Sequence, residues 1–160
     1  KTMAAFIKFD GIEGECQDKD HKKWIDVLSV SQVIHKAGGG ATSTARRRGD
    51  TMFEDIVVSK LLDKSDPKIA EALSNGKVFP KVEIHFTTSY TDAGRATYLA
   101  YELKDVMVSS YNISGGSDDK PHASLSLNFE EIKVSYSEMD NKGTKLGNVE
   151  YAWKVSEGTK

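Results

Sequence analysis

Four histidines, one cysteine and one run of arginines are the residues of this 160-residue chain whose chemistry could go beyond structure. His21, His35, His85 and His122 sit in four different segments, with no H-x-H or H-x-x-x-H pair. A metal site would have to gather them in space with nearby carboxylates. Their settings argue against that. His85 falls on the polar phase of a strand pattern, and His21 and His122 flank charged turns. Cys16 lies in GECQDKDH, where dense carboxylates raise a thiol's pKa and suppress the thiolate that a nucleophile needs. No serine occupies a G-x-S-x-G elbow, and the glycines at 38–40 lack the Lys-Ser/Thr of a phosphate loop. These residues therefore predict no catalytic group, no cofactor and no metal. The chain does not read as an enzyme.

Arg46, Arg47 and Arg48 form the one basic cluster of note, beside a glycine-rich stretch. Such a cluster could clamp phosphates. No aromatic side chain is interleaved to stack on bases, so a protein contact is the better reading. The formal net charge of −2 gives no general field for nucleic acid. With 38% hydrophobic and 29% charged residues the chain reads as globular rather than disordered. No apolar run approaches the ~18 residues of a membrane-spanning helix. A single cysteine excludes an intrachain disulfide framework. Met3 reads as the initiator, with Lys1 and Thr2 added ahead of it, and no secretory signal pattern follows. One domain is expected, over residues 3–157.

The elements that must position these residues are mostly strands. Val82, Ile84 and Phe86 alternate with Lys81, Glu83, His85 and Thr87; Val149, Tyr151, Trp153 and Val155 alternate with Glu150, Ala152 and Lys154. Similar runs cover residues 4–9, 24–35, 51–60, 98–108 and 123–136. About seven or eight strands on this spacing predict a compact antiparallel β-barrel or a tight sandwich. Two runs change phase, at Lys104–Asp105 and at Glu130–Glu131, which predicts a β-bulge in each or, in its place, two shorter strands with a polar break. Residues 67–75 predict one short helix, with Asp66 as cap, Pro67 in the first turn and Gly76 as the stop. Its apolar face, Ile69, Ala70 and Leu73, must dock on the strands. The expected core is Val82, Ile84, Phe86, Leu125, Leu127, Phe129, Val149, Tyr151 and Trp153.

Four blocks, in order, resemble a known family. They are FIKFDGIEGECQDKDHKKWIDVLSVS (residues 6–31), KLLDKSDPKIAEALSNGKVFPKVEI (60–84), YLAYELKDVMVSS (98–110) and SLSLNFEEIKVSY (124–136). Together they identify the chain as similar to the haemolysin-coregulated protein (Hcp) family, the tube protein of bacterial type VI secretion. The resemblance implies a β-barrel with a helix at its side, homohexameric rings that stack into a hollow tube, and small effector proteins carried in the lumen. It implies a contractile sheath and a spike as further partners, and residence in the bacterial cytoplasm until the apparatus fires. It places residues 37–50 as a long hairpin loop, from which Arg46, Arg47 and Arg48 are expected to make ring-to-ring contacts. Two other classes compete on residue chemistry alone: a barrel that binds a small ligand, and a nucleic-acid module using the arginine loop. Large inward side chains such as Ile84, Phe86, Leu127 and Phe129 leave little room for a ligand.

Overall fold

The computed structural model describes residues 2–36, 51–91 and 94–159. Residues 37–50, with Arg46, Arg47 and Arg48, lie outside the described residues. Among the described residues eleven strands and one helix follow in order: β1 (Met3–Phe9), β2 (Ile25–Val27), β3 (Ser29–Ser31), β4 (Ile34–Lys36), β5 (Thr51–Phe53), β6 (Ile56–Leu61), α1 (Asp66–Ser74), β7 (Val78–Tyr90), β8 (Gly94–Ser114), β9 (His122–Asn128), β10 (Glu131–Met139) and β11 (Lys145–Lys154). The count exceeds the expected seven or eight because the runs at 24–35, 51–60 and 123–136 each break into shorter strands.

All pairings among the described strands are antiparallel: the main sheet runs β2-β1-β7-β8-β9-β6-β3, with β10 branching from β8 and β11 pairing β10, and β4 pairs with β5 in a second sheet. The two ends of this path, β2 and β3, are consecutive strands separated by Leu28 alone. The sheet therefore curls back on itself into a barrel-like shell, joined through the chain rather than by a closing ladder. The amide of Leu28 donates to the carbonyl of Ser59, so the switch point is tied to β6. Inside the shell, Phe9, Phe79, Ile7, Ile84, Leu103, Leu125, Leu127 and Ile132 are fully buried, and these large side chains fill it.

The phase changes read from the sequence lie on one line. Phe79 pairs with Val106 and Lys81 with Lys104, which places Pro80 opposite Asp105. Lys104 pairs with Glu131 and Met107 with Asn128, which places Glu130 on the same row. Register is unchanged across that row, so no extra residue sits in either strand there. The expected bulges at Lys104–Asp105 and Glu130–Glu131 are instead one crease that crosses three neighbouring strands. Pro80 has no N–H to give to a ladder, and Asp105 adopts a positive φ of 51° that aspartate tolerates better than most residues. Bulges do occur, next to Phe86, Ser109 and Met139.

Helix α1 has Pro67 in its first turn, and Gly76 just past its end takes φ +68°. Its cap is Ser65 rather than Asp66, because the Asp66 carboxylate is turned inward. Ile69 and Ala72 are buried, where Ala70 was expected, and Leu73 is half-buried against the core.

Candidate functional site

Lys60 occupies the inward phase of β6, after Ile56 and Val58, and is fully buried. Its ammonium is paired with Asp66 and with Asp63 at 3.0 Å, and donates to the carbonyl of Leu61. Asp66 also accepts from the Tyr111 hydroxyl at 2.8 Å, so one network pins the start of α1 to β6 and β8. Burial pushes the Tyr111 phenol up to about 12, with the Asp66 bond adding to it. Burial pushes the Asp63 carboxyl up, but bonds from Ser65 and Lys60 outweigh it and leave Asp63 below the usual carboxylate range. The network holds the shell's shape.

The histidines do not all fall where the pattern put them. His21 is buried rather than in an exposed turn, and its Nε2 meets Nδ1 of His85 at 3.0 Å. His85 is indeed on the outward phase of β7, but the segment before β2 folds over it. Gly14 lets that segment close: a Cβ there would collide with the Trp24 carbonyl and the Ile25 side chain. Among the described residues no group of three or more His, Cys, Asp or Glu is arranged to hold a metal ion. Cys16 is buried, and burial pushes its thiol up to about 11, with Asp26 adding to it. It is inert, chiefly through burial rather than through the carboxylates.

What the described residues offer to other molecules is surface, of three kinds. The first is the outer face of β3, β6, β9 and β8 beyond the crease. Here Ser29, Ser59, Ser124, Ser126 and Ser110 sit on neighbouring strands, with Ser29 bonded to Ser59 and Ser110 to Ser126. Asp55 at its rim accepts from Ser109 and Asn128. Over Ser29–Ser31, Ile56–Leu61, His122–Asn128 and residues 107–114 the lone Lys, Arg, Asp or Glu is the inward Lys60. In a chain that is 29% charged, this is an uncharged, serine-rich wall, with Val57, Leu61 and Met107 exposed among the hydroxyls.

The second face lies across the crease, on the outside of β7, β8, β10 and β11. It carries alternating charge: Lys81 with Glu83 at 2.7 Å, Lys104 with Glu131 at 3.7 Å, Lys133 with Glu150 at 3.8 Å. These exposed pairs are worth ~0–1 kcal/mol each and mark a solvated surface.

The third is the inner face of the same four strands where they outrun the shell. The row Phe9, Val82, Leu103, Ile132 is buried and ends on half-buried Trp153. The next row, Ile7, Ile84, Tyr101, Val134, Tyr151, grades from buried to 42% exposed. The row after, Ala5, Phe86, Leu99, Tyr136, Val149, ends at 74% exposed. Val149 and Tyr151 were expected in the core and are not. They are on the core's face, but none of the described residues covers that end of the sheet. The outer edge of β11 is also unpaired among the described strands.

A family model described as "Type VI secretion system effector, Hcp" matches residues 6–136. The chain belongs to the Hcp family. It is 32% identical to protein hcp1 of Pseudomonas aeruginosa over 152 residues, covering 94% of this chain and 93% of that one. A solved structure of a type six secretion system protein superposes with a TM-score of 0.89 at 27% identity, covering 99% of each chain. Hcp1 from Salmonella typhimurium shares the fold at 22% identity, with a TM-score of 0.81 and 99% of each chain covered. The resemblance read from the four blocks is borne out. The chain is a structural subunit of the type VI secretion tube, built from hexameric rings. Membership in the Hcp family turns the question from what is catalysed to which surface meets which neighbour.

Proposed function

We propose that the three faces divide the work of building the tube. The apolar overhang of β7, β8, β10 and β11 is the contact between subunits of one ring. The observation that carries this is the continuity of the apolar rows from the core into solvent. A face that runs from fully buried Ile84 and Leu103 to Tyr151 and Val149 lacks a cover that a second subunit supplies. A ring joins unlike surfaces, so the overhang and the free edge of β11 meet a different face of the next subunit.

The serine wall lines the lumen. Its hydroxyls bond one another and it presents no charge, with Val57, Leu61 and Met107 exposed among them, which suits passage and weak holding of small effector proteins. The charged outer face looks away from the lumen, toward the contractile sheath. Arg46, Arg47 and Arg48 contact the facing ring, and the last ring meets a spike. In this reading the protein is not an enzyme, and it waits in the bacterial cytoplasm until firing expels it.

The test is the native mass of the full chain with Val149→Asp and Tyr151→Asp together. Loss of the six-subunit species, with the dissociated subunit still folded by circular dichroism, supports the assignment. Intact hexamers overturn it.

A further inference from the structure

Phe6 points to the outside of the shell, yet only 3% of it is exposed. Its cover is the segment between β1 and β2. His21 stacks on it with ring centroids 4.6 Å apart, and Trp24 closes against both His21 and His85. Within the segment, Gly14 and Cys16 donate to the carbonyls of Lys23 and Trp24, and Lys23 donates back to Cys16. The segment is thus one small folded unit. The side-chain bond joining it to β7 is the one between His21 and His85.

That bond limits how many protons the two rings can hold. Nδ1 of His21 faces the Asp18 carboxylate at 2.8 Å and carries a hydrogen. Between His21 Nε2 and His85 Nδ1 there is room for one hydrogen, donated from either side. If both rings were imidazolium, two N–H groups and two positive charges would meet across 3.0 Å. The closed segment therefore holds one fewer proton than two free imidazoles. The other charges around the pair do not remove this. Asp18 is already shared with Arg95 of β8, whose Nε lies 3.4 Å from it. On β7, Glu83 favours a charge on His85 and Lys81 opposes it. From β1, Lys8 lies over the Trp24 ring.

We propose that the His21–His85 pair is an acid-sensitive latch that holds the segment 13–24 on the outer face of β1 and β7. Burial first, and the neighbouring His21 second, hold the His85 imidazole below its ordinary value. The sign follows. The open segment takes up the second proton as pH falls through the ordinary imidazole range near 6.5, and the closed segment does not. Closure is therefore complete above that range and weakens below it, by up to about tenfold per pH unit for one proton. Opening would uncover Phe6 and Trp24 and leave the shell beneath intact.

The experiment is hydrogen exchange on the full chain at pH 7.5 and 5.5, read as protection of residues 13–24 relative to β6 and β9. That ratio cancels the intrinsic pH dependence of exchange. The latch predicts a fall of roughly tenfold in the wild type, one proton across one unit below the imidazole range. It predicts none in His85→Gln, whose amide can bond His21 but takes up no proton. A flat ratio in the wild type, or an equal fall in the variant, overturns it. Should His85→Gln release the segment at both pH values, the ring nitrogens of the wild type decide by NMR. Uptake of the second proton must coincide with opening, and uptake without opening overturns the latch.

Discussion

Two stretches of one sheet stand open in the single chain and have opposite chemistry. Before the crease at Pro80, Asp105 and Glu130, the open face is apolar and unfinished: Tyr136, Val149 and Tyr151 continue rows that are buried a few residues earlier. After the crease, the open face is finished. Its serines bond each other, and the large side chains exposed on it, Val57, Leu61 and Met107, continue no buried row. Strand β8 runs through both, from Tyr101 facing the overhang to Ser110 on the serine wall. The difference shows that exposure by itself says little. What identifies a contact surface is exposure on a face that the same strands bury elsewhere.

The largest expected effect breaks the first region. Val149→Asp with Tyr151→Asp buries unpaired carboxylates at every subunit contact, at ~3–5 kcal/mol for each buried unpaired charge. Rings should dissociate to monomers in native mass measurements. Because both side chains are exposed in the single chain, the stability of the dissociated subunit should move by no more than ~0.5 kcal/mol.

Next is the floor beneath the second region. Lys60→Met leaves Asp66 buried without its cation and should cost ~3–5 kcal/mol in denaturant unfolding. It should also change the acid limb. Asp63 is held below the usual carboxylate range partly by Lys60. Its contribution to stability is present above that range and is lost as pH falls through the folded value. In the variant that acid-dependent loss should shrink, checked by melting midpoints between pH 5 and 2.

Smaller effects sharpen the contrast. Ser126→Arg puts a charge and a long side chain on the wall. Hexamers should persist by light scattering, while co-purification of small effector proteins falls. Replacing Arg46, Arg47 and Arg48 by glutamate should leave ring mass unchanged and shorten ring stacks in negative-stain images. Exposed ion pairs are weak individually and add up only through six-fold repetition. Ser110→Ala should change neither assembly nor unfolding by a measurable amount, since Ser126 keeps Ser109 as a partner.

Much of the fold was legible in the sequence because alternation and punctuation are local. Val82, Ile84, Leu125 and Leu127 are buried as their phase predicts, and Pro67 and Gly76 bound the helix. The errors have a common cause in tertiary placement. Val149 and Tyr151 have the right phase, but phase does not tell how far a sheet outruns its core. Paired phase changes read as separate bulges because register between strands is invisible in one strand's pattern. His21 read as a turn residue because its partner, His85, is 64 positions away. One missed signal was available: a lysine at position 60 on the inward phase of Ile56 and Val58 requires a buried carboxylate, and Asp63 and Asp66 follow it.

The claim that one open face is a ring contact and the other a free wall is tested most directly by thiol labelling. Val149→Cys and Ser110→Cys are each prepared in the full chain, where Cys16 is buried and its thiol raised, so it reacts slowly. A small maleimide is added to assembled protein and to protein diluted until the rings dissociate. Assembly should slow labelling at position 149 by at least ~tenfold, equivalent to ~1.4 kcal/mol of protection, and leave position 110 within about twofold. Equal rates at position 149 in both states, or protection at position 110 instead, would contradict the account.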